Sequence, residues 1–204
     1  MKKDLYLGFE DCGFWADFSF IDFPEGYLES MATGVNDALI AMEELERGAI
    51  ANPDENRMVG HYWLRSPELA PSEEIRNAIQ DTLAKTKKIA NRVHEGDLRA
   101  PAGEFTDLLI IGIGGSALGP QFVGRALGHP KTNKLTVHFF DNTDPDGIDL
   151  TLAEIGERLA TTLAIVISKS GGTPETRNGM LEAENAFAKK GLDFAKQAIA
   201  ITGE

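Results

Sequence analysis

The stretch of sequence that says most about the fold is residues 107–116, which read Asp-Leu-Leu-Ile-Ile-Gly-Ile-Gly-Gly-Ser. Leu108 to Ile113 is almost wholly apolar, as expected of a strand that is buried on both faces of a parallel sheet. The glycines let the backbone turn tightly and approach a ligand without a Cβ in the way. A buried strand followed by such a turn is typical of an α/β domain, in which a helix follows each strand.

Three further apolar runs repeat this signal toward the C-terminal end of the chain. The apolar runs are 135–140, 163–167 and 198–201, and the segments between the strands, at about 116–128, 145–159 and 174–190, are predicted to be helices. This alternation predicts an α/β fold, an open, doubly wound parallel sheet with flavodoxin-like layering and right-handed crossovers.

The first hundred residues follow a helical pattern instead. Between about residues 25 and 47, apolar side chains recur at helical spacing, and Gly48 follows at the position of a C-terminal cap. A second apolar stripe follows Ser72, whose side chain can cap the first turn, and Gly96 ends it. The chain is therefore predicted to begin with a mainly helical part.

The sequence also predicts the structure of the opening segment and the bounds of the two parts of the chain. Aromatic residues crowd between Phe9 and Phe23, and we predict that this segment is irregular. We place the mainly helical segment at 1–103 and the α/β domain at 104–204. Because the last predicted strand is followed only by Thr202 to Glu204, we expect the α/β domain to be truncated on its C-terminal side, before a binding loop and a covering helix.

Composition and charge argue against several classes of protein. The 204 residues carry 20 Lys and Arg against 32 Asp and Glu, a net charge of −12, which disfavours binding to nucleic acid or to anionic membranes. One cysteine, Cys12, and four scattered histidines offer no metal-ligand spacing, so no metal is expected. No apolar run reaches the length of about 20 residues that a membrane span needs, and no signal-peptide pattern follows Met1. These features predict a cytoplasmic protein.

The loop after the third predicted strand carries the strongest functional signal. It reads Ser168-Lys169-Ser170-Gly171-Gly172-Thr173-Pro174-Glu175-Thr176. Hydroxyls and a lysine can contact phosphate oxygens, the glycines permit a concave run of backbone N–H groups, and the positive end of the next helix attracts an anion. Thr173 can cap that helix, whose first position, Pro174, needs no N–H. We interpret this loop as a phosphate cradle.

The glycine-rich loop after the first of these strands can attract an anion through the exposed amides at the start of the next helix, and two other interpretations stay open. Gly112, Gly114 and Ala117 satisfy a loose dinucleotide-binding pattern, and Asp141 lies 24 residues beyond Ala117, near the offset of a ribose-binding acid. The alternative is a turn that only allows helix and strand to pack closely. The middle loop is interpreted structurally, with Asp144 as the cap of the next helix.

The glycine-rich loop after the first predicted strand and the phosphate cradle after the third follow neighbouring strands. Together they resemble the sugar isomerase (SIS) domain, whose third strand is followed by a loop of the form S-x-S-G-x-T-x-E-T. Residues 168–176 meet every defined position of that form. Gly-Ile-Gly-Gly-Ser at 112–116, Lys169, and Gly-His-Tyr-Trp-Leu-Arg at 60–65 narrow the resemblance to the phosphoglucose isomerase family in its bacterial form. Animal members carry a bulkier residue and a threonine where this chain has Gly171 and Gly172.

The resemblance implies an activity and a set of binding residues. Members of that family interconvert glucose 6-phosphate and fructose 6-phosphate in glycolysis and gluconeogenesis. They pass a proton between C1 and C2 and need no cofactor and no metal. Carried over by position, two sets of residues would touch the sugar phosphate: the phosphate-binding set is Ser168, Lys169, Ser170 and Thr173, and the sugar-binding set is Gly115 and Ser116.

The resemblance also places the family's catalytic glutamate, arginine, histidine and lysine after Glu204. We therefore expect an N-terminal fragment of an aldose–ketose isomerase that is inactive alone and whose parent enzyme is a homodimer. Tyr62 and Trp63 are interpreted as core or domain-interface residues. Two alternatives stay open: a non-catalytic SIS module that binds sugar phosphates, and, from the pattern that starts at Gly112, an NAD-dependent oxidoreductase.

Overall fold

A computed structural model describes residues 5–203 of the chain. The chain divides into two compact units, and the division falls between Leu83 and Ala84. Both residues belong to one helix, Glu73–His94, so the division lies inside a regular element and not in a linker.

From residue 5 onward, the N-terminal unit contains two short hairpins and three α-helices. Its elements in chain order are β1 (Tyr6–Phe9), β2 (Phe14–Asp17), α1 (Tyr27–Glu46), β3 (Ile50–Asn52), β4 (Arg57–Met58), α2 (His61–Arg65) and the first part of α3 (Glu73–His94). Strand β1 pairs with β2, and β3 pairs with β4, both antiparallel. The two predicted helices, at about 25–47 and after Ser72, are confirmed as α1 and α3.

The prediction that the aromatic opening is irregular is wrong for residues 6–17, which form the β1–β2 hairpin, and it is confirmed for residues 18–23, which have no regular structure. A 3-10 turn, Glu10–Cys12, connects the strands, and Gly13 closes the connection in the left-handed conformation with φ of 65°. Neither strand buries a residue. Because the strands have no buried face, apolar and polar residues need not alternate along them, and in Tyr-Leu-Gly-Phe and Phe-Trp-Ala-Asp they do not. The signal by which a half-buried strand is recognised is thus missing.

Trp63 is the buried aromatic residue of the N-terminal unit. Its side chain is 3% exposed, and its indole Nε1 donates a hydrogen bond to the carbonyl of Glu46 at 2.8 Å. Gly60 approaches so closely that a Cβ there would lie 2.9 Å from the indole ring. The interpretation of Trp63 as a core residue is confirmed, while Tyr62 is half-buried.

The C-terminal unit is a four-stranded parallel sheet with helices between its strands. After the end of α3, the elements are β5 (Asp107–Ile111), α4 (Gly115–Leu127), β6 (Thr136–Phe140), α5 (Pro145–Ile155), β7 (Thr162–Ser168), α6 (Pro174–Lys189) and β8 (Ala198–Thr202). The strand order is β6-β5-β7-β8, so the chain winds outward from β5 in both directions. The predicted α/β, doubly wound parallel sheet is confirmed.

The central strands β5 and β7 are covered on both faces, as their apolar sequences require, whereas β6 and β8 keep exposed residues. On one face, Leu109 and Ile111 pack in a cluster with residues of α5 and α6, among them Phe187. On the other face, Leu108 packs against a cluster that contains Phe105. The helix predicted to end at residue 159 ends earlier, at Ile155, because the next residue, Gly156, has φ of 57°; a 3-10 segment, Gly156–Thr161, leads into β7.

A buried charge cluster fixes the start of the sheet. Asp107 is fully buried, and its carboxylate accepts hydrogen bonds from His138 Nε2 at 2.8 Å, from Thr106 Oγ1 at 2.8 Å and from Arg158 Nε at 3.1 and 3.2 Å. Burial opposes ionisation, but these hydrogen bonds and the charge of Arg158 hold the pKa of Asp107 below its ordinary value. The cluster joins β5 to β6 and to the segment that precedes β7.

Candidate functional site

The carboxyl ends of the four parallel strands meet at one edge of the sheet. Ile111 of β5 lies opposite Phe140 of β6 and Val166 of β7, and Ser168 of β7 lies opposite Thr202 of β8. The loops that follow these strands therefore emerge side by side. This is the edge at which ligands bind in open α/β sheets.

The loop after β5 turns directly into α4. Gly114 has φ of 55°, a conformation that favours glycine, and Gly115 begins the helix in an exposed position while Ser116 is half-buried. A Cβ on Gly112 would lie 2.8 Å from the Cβ of Ser116 and 3.2 Å from the carbonyl oxygen of Ile167. Glycine at 112 thus allows the loop after β5 to come against the end of β7.

The segment 168–176 runs from the last residue of β7, through the loop, into the first turn of α6, and it gathers hydroxyl groups there. The hydroxyls of Ser168 and Thr173 lie 3.0 Å apart, and Ser168 is 8% exposed. The Ser170 hydroxyl accepts a hydrogen bond from the Gly172 amide at 3.2 Å. Gly171 has φ of 68°, so a side chain there would be strained. Lys169 and Ser170 are exposed.

Thr173 has the position of a helix cap but not its expected hydrogen bond. It immediately precedes Pro174, the first residue of α6, as predicted. Its hydroxyl, however, contacts Ser168 and makes no capping bond to the helix. The amides of the first turn are therefore not covered by the Thr173 side chain, and they add to the positive potential at this end of α6.

A glycine inside α6, which the sequence analysis did not single out, brings the helix close to the sheet. A Cβ on Gly179 would lie 3.0 Å from Cγ2 of Ile111 and 3.6 Å from the Cβ of Phe140. Close packing of α6 against β5 and β6 fixes where its first turn and the loop before it lie. The signal in the sequence was a glycine within a predicted helix, since such a glycine usually has a packing reason.

The acidic side chains of the loop after β6 form hydrogen bonds within the protein. Asp141 accepts hydrogen bonds from Gln121 Nε2 at 2.6 Å and from Asn142 Nδ2 at 3.1 Å. Asp144 caps α5 by accepting from the amides of Asp146 and Gly147, so its predicted role as a cap is confirmed. Each oxygen of the Asp141 carboxylate accepts from one side-chain amide, so these contacts hold the Asp141 side chain against α4 and its own loop.

Other surfaces of the described chain contribute little to this site. A groove of about 470 Å³ lies beside α4 and β6, where Arg125, Asn133 and Val137 line it, away from the loops at the carboxyl edge. Within residues 5–203, no three His, Cys, Asp or Glu side chains come together in a way that could hold a metal ion. No helix in that range has both the length and the apolar character to cross a membrane.

The sheet, its order and the loops at its carboxyl edge make this an α/β protein of the open, doubly wound class. Comparison with known proteins identifies its relatives within that class. The chain belongs to the phosphoglucose isomerase family, because the model of that family matches residues 27–204. Its predicted membership in that family is confirmed.

Individual relatives agree with this assignment. The chain is 61% identical over 191 residues to a glucose-6-phosphate isomerase of Synechococcus elongatus, a match that covers 93% of this chain and 36% of that protein. It is 61% identical over 188 residues to a glucose-6-phosphate isomerase of a Geobacter species, covering 92% and 35%. A crystal structure of a glucose-6-phosphate isomerase from Chlamydia trachomatis matches with a TM-score of 0.77 and 27% identity, over 98% of this chain and 39% of that chain.

The chain thus spans little more than a third of the length of these relatives. The structure brings the two predicted sets of binding residues, at 115–116 and at 168–173, to the same edge of the sheet. Their contacts with a substrate stay predictions.

Proposed function

We propose that the loops after β5 and β7 bind a hexose 6-phosphate, and that the chain supplies this part of the substrate site of a glucose-6-phosphate isomerase. The observation that carries the proposal is the loop at 168–176, in which the hydroxyls of Ser168 and Thr173 lie 3.0 Å apart at the start of α6. In a chain of the phosphoglucose isomerase family, such a loop is suited to the phosphate group.

Electrostatics support the assignment of phosphate to the loop after β7. The chain carries a net charge of −12, so a site for an anion needs local positive potential. The N-terminal end of the 16-residue helix α6 provides a partial positive charge and backbone amides. The exposed Lys169 adds a full charge within the loop, and the hydroxyls of Ser168, Ser170 and Thr173 can each donate to a phosphate oxygen.

The sugar is assigned to the loop after β5. Gly115 is exposed at the start of α4, where a ligand can approach its backbone, and Ser116 offers a hydroxyl one residue further. The close approach that Gly112 permits to the end of β7 supports a single ligand that bridges the two loops, with its phosphate on one loop and its hydroxyl groups on the other.

The proposal assigns substrate binding, and no catalytic base, to residues 5–203. Moving a proton between C1 and C2 requires a positioned base and an acid. In the loop after β6, Asp141 is held by two amides and Asp144 caps α5, and the chain covers only 36% of a related isomerase. We therefore expect this chain alone to be inactive.

The proposal extends to a cytoplasmic location, a homodimeric parent enzyme and no nucleic-acid partner, and the net charge of −12 supports the last of these.

Calorimetric titration of the 204-residue chain with fructose 6-phosphate tests the proposal, with unphosphorylated fructose as the ligand control. We expect binding that depends on the phosphate group. Thr173→Val removes one hydroxyl while nearly preserving shape, and it should weaken binding about tenfold or more, because a hydrogen bond to a charged group is lost.

Thr132→Val is the matched control, since Thr132 is an exposed threonine near the opposite edge of the sheet. The Thr132→Val variant should bind fructose 6-phosphate with the same affinity as the unaltered chain. Equal heats with fructose and fructose 6-phosphate, or unchanged affinity in Thr173→Val, would contradict the assignment of phosphate to this loop.

A further inference from the structure

The end of β8 is hydrogen-bonded to the loop after β7. Strand β8 pairs with β7 so that Thr202 lies opposite Ser168. One residue later, the amide of Gly203 donates a hydrogen bond to the carbonyl oxygen of Lys169 at 3.0 Å. The contact falls on the backbone between the two serines of the loop, although 34 positions separate residues 169 and 203 in the sequence.

Position 203 has no room for a side chain. A Cβ on Gly203 would lie 2.9 Å from the carbonyl oxygen of Lys169. Contacts this short are not found in real proteins, and because the obstacle is backbone, no side-chain rotation can relieve it. A Cβ on Gly172, in the same loop, would meet only the Ser170 hydroxyl, at 3.9 Å. The crowding is therefore specific to Gly203.

The hydrogen bond also sets the direction of one peptide group. In a trans peptide, the carbonyl of one residue and the N–H of the next point in opposite directions. Holding the Lys169 carbonyl toward β8 therefore turns the Ser170 N–H away from β8. Release of that carbonyl would allow the peptide to rotate, which would move the Ser170 amide and hydroxyl together.

We propose that Gly203 is a positioning residue for the phosphate loop. Its amide holds the Lys169 carbonyl, and its lack of a side chain lets β8 come close enough to do so, which fixes the spacing of Ser168 and Ser170. This inference rests on the proposed function and deepens it, because it adds the end of a third strand to the structure that presents the loop to phosphate.

The test compares Gly203→Ala with the unaltered chain in the fructose 6-phosphate titration. We expect affinity to fall about tenfold or more, because the methyl group displaces the Lys169 backbone. The ³¹P resonance of the bound ligand should shift as well, which a change in overall stability alone would not cause. Gly124→Ala is the control: Gly124 lies inside α4, and a Cβ there meets nothing within 4 Å, so affinity should stay the same.

The outcomes separate this inference from the proposed function. If the unaltered chain binds fructose 6-phosphate through its phosphate group and Gly203→Ala binds equally well, the positioning role is overturned and the proposed function stands. If the unaltered chain shows no phosphate-dependent binding, both are overturned.

Amide hydrogen exchange on the unaltered chain provides a test that does not depend on how well the variant folds. The Gly203 amide should exchange more slowly than an unstructured amide of the same sequence, because it is held by the Lys169 carbonyl. Exchange at the unstructured rate would overturn the proposal.

Discussion

The Asp107 carboxylate is a buried charge whose partners come from three segments of the chain. Replacing it by Asn keeps the shape but removes the charge that Arg158 and His138 face. We expect Asp107→Asn to lower the free energy of unfolding by about 2–4 kcal/mol, because the buried His138 and the half-exposed Arg158 lose a charged acceptor. Urea unfolding measures this. The control, Asp149→Asn, lies at an exposed position of α5 and should change the free energy of unfolding by less than about 0.5 kcal/mol. Equal effects of the two substitutions would contradict a stabilising role of the cluster around Asp107.

The same residue predicts a pH dependence. The pKa of Asp107 in the folded chain lies below its ordinary value of 3.8, so the unfolded chain takes up the proton at higher pH than the folded one. The stabilisation is therefore complete above pH 3.8 and is lost as the pH falls through the lowered folded pKa. Unfolding midpoints of the unaltered chain and of Asp107→Asn should converge as the pH is lowered below 3.8. A constant difference between them would show that ionisation of Asp107 contributes nothing.

At the scale of elements, the turn from β5 into α4 depends on the absence of a side chain at Gly112. A methyl group there would meet the Ser116 side chain at 2.8 Å and the Ile167 carbonyl at 3.2 Å. We expect Gly112→Ala to destabilise the chain by about 1–3 kcal/mol through overpacking. Gly124→Ala, in open space within α4, should be neutral or stabilising by up to about 1 kcal/mol. Denaturant midpoints followed by circular dichroism compare the two, and a stable Gly112→Ala would refute the close approach of the loop to β7.

Elements with a clear apolar run or helical period were predictable, and short elements without one were missed. Strands β5 to β8 were evident because each is a short apolar run, and the central strands β5 and β7 are covered on both faces. The hairpins β1–β2 and β3–β4 bury no residue beyond partial contacts, so no alternation marks them. The short helix α2 was missed for a related reason, since five residues are too few for a helical period to show.

At the scale of the whole molecule, the two units differ in how much they bury. Helix α1 buries none of its 20 residues, whereas β5 lies between two apolar clusters. We therefore expect the amides of β5 and β7 to exchange most slowly, and those of α1 to exchange at least about tenfold faster, because exchange follows local burial. Hydrogen exchange with mass spectrometry measures both, and equal protection of α1 and β5 would contradict this prediction.

The part of the candidate site that lies in one continuous segment was predictable from the sequence. The contacts that depend on how distant strands and helices pair were not. The residues at 168–176 carry their chemistry in one continuous segment, so the sequence revealed them directly. The contact of Gly203 with Lys169 depends on the register that sets Thr202 opposite Ser168, which no local pattern specifies. The hydrogen bonds that occupy Asp141 likewise join α4 to the end of β6, and only the folded sheet brings these two elements together.

The contact between Ser168 and Thr173 has a consequence for how quickly a ligand can be exchanged. Each hydroxyl can donate or accept, so one of the two donates to the other across 3.0 Å. If the loop binds phosphate as proposed, the anion would need only rotation of the two hydroxyl groups, each of which would then donate outward. When the anion left, the hydroxyls would again contact each other. The proposed function therefore predicts that the loop keeps one backbone shape with and without phosphate, which would favour rapid entry and release.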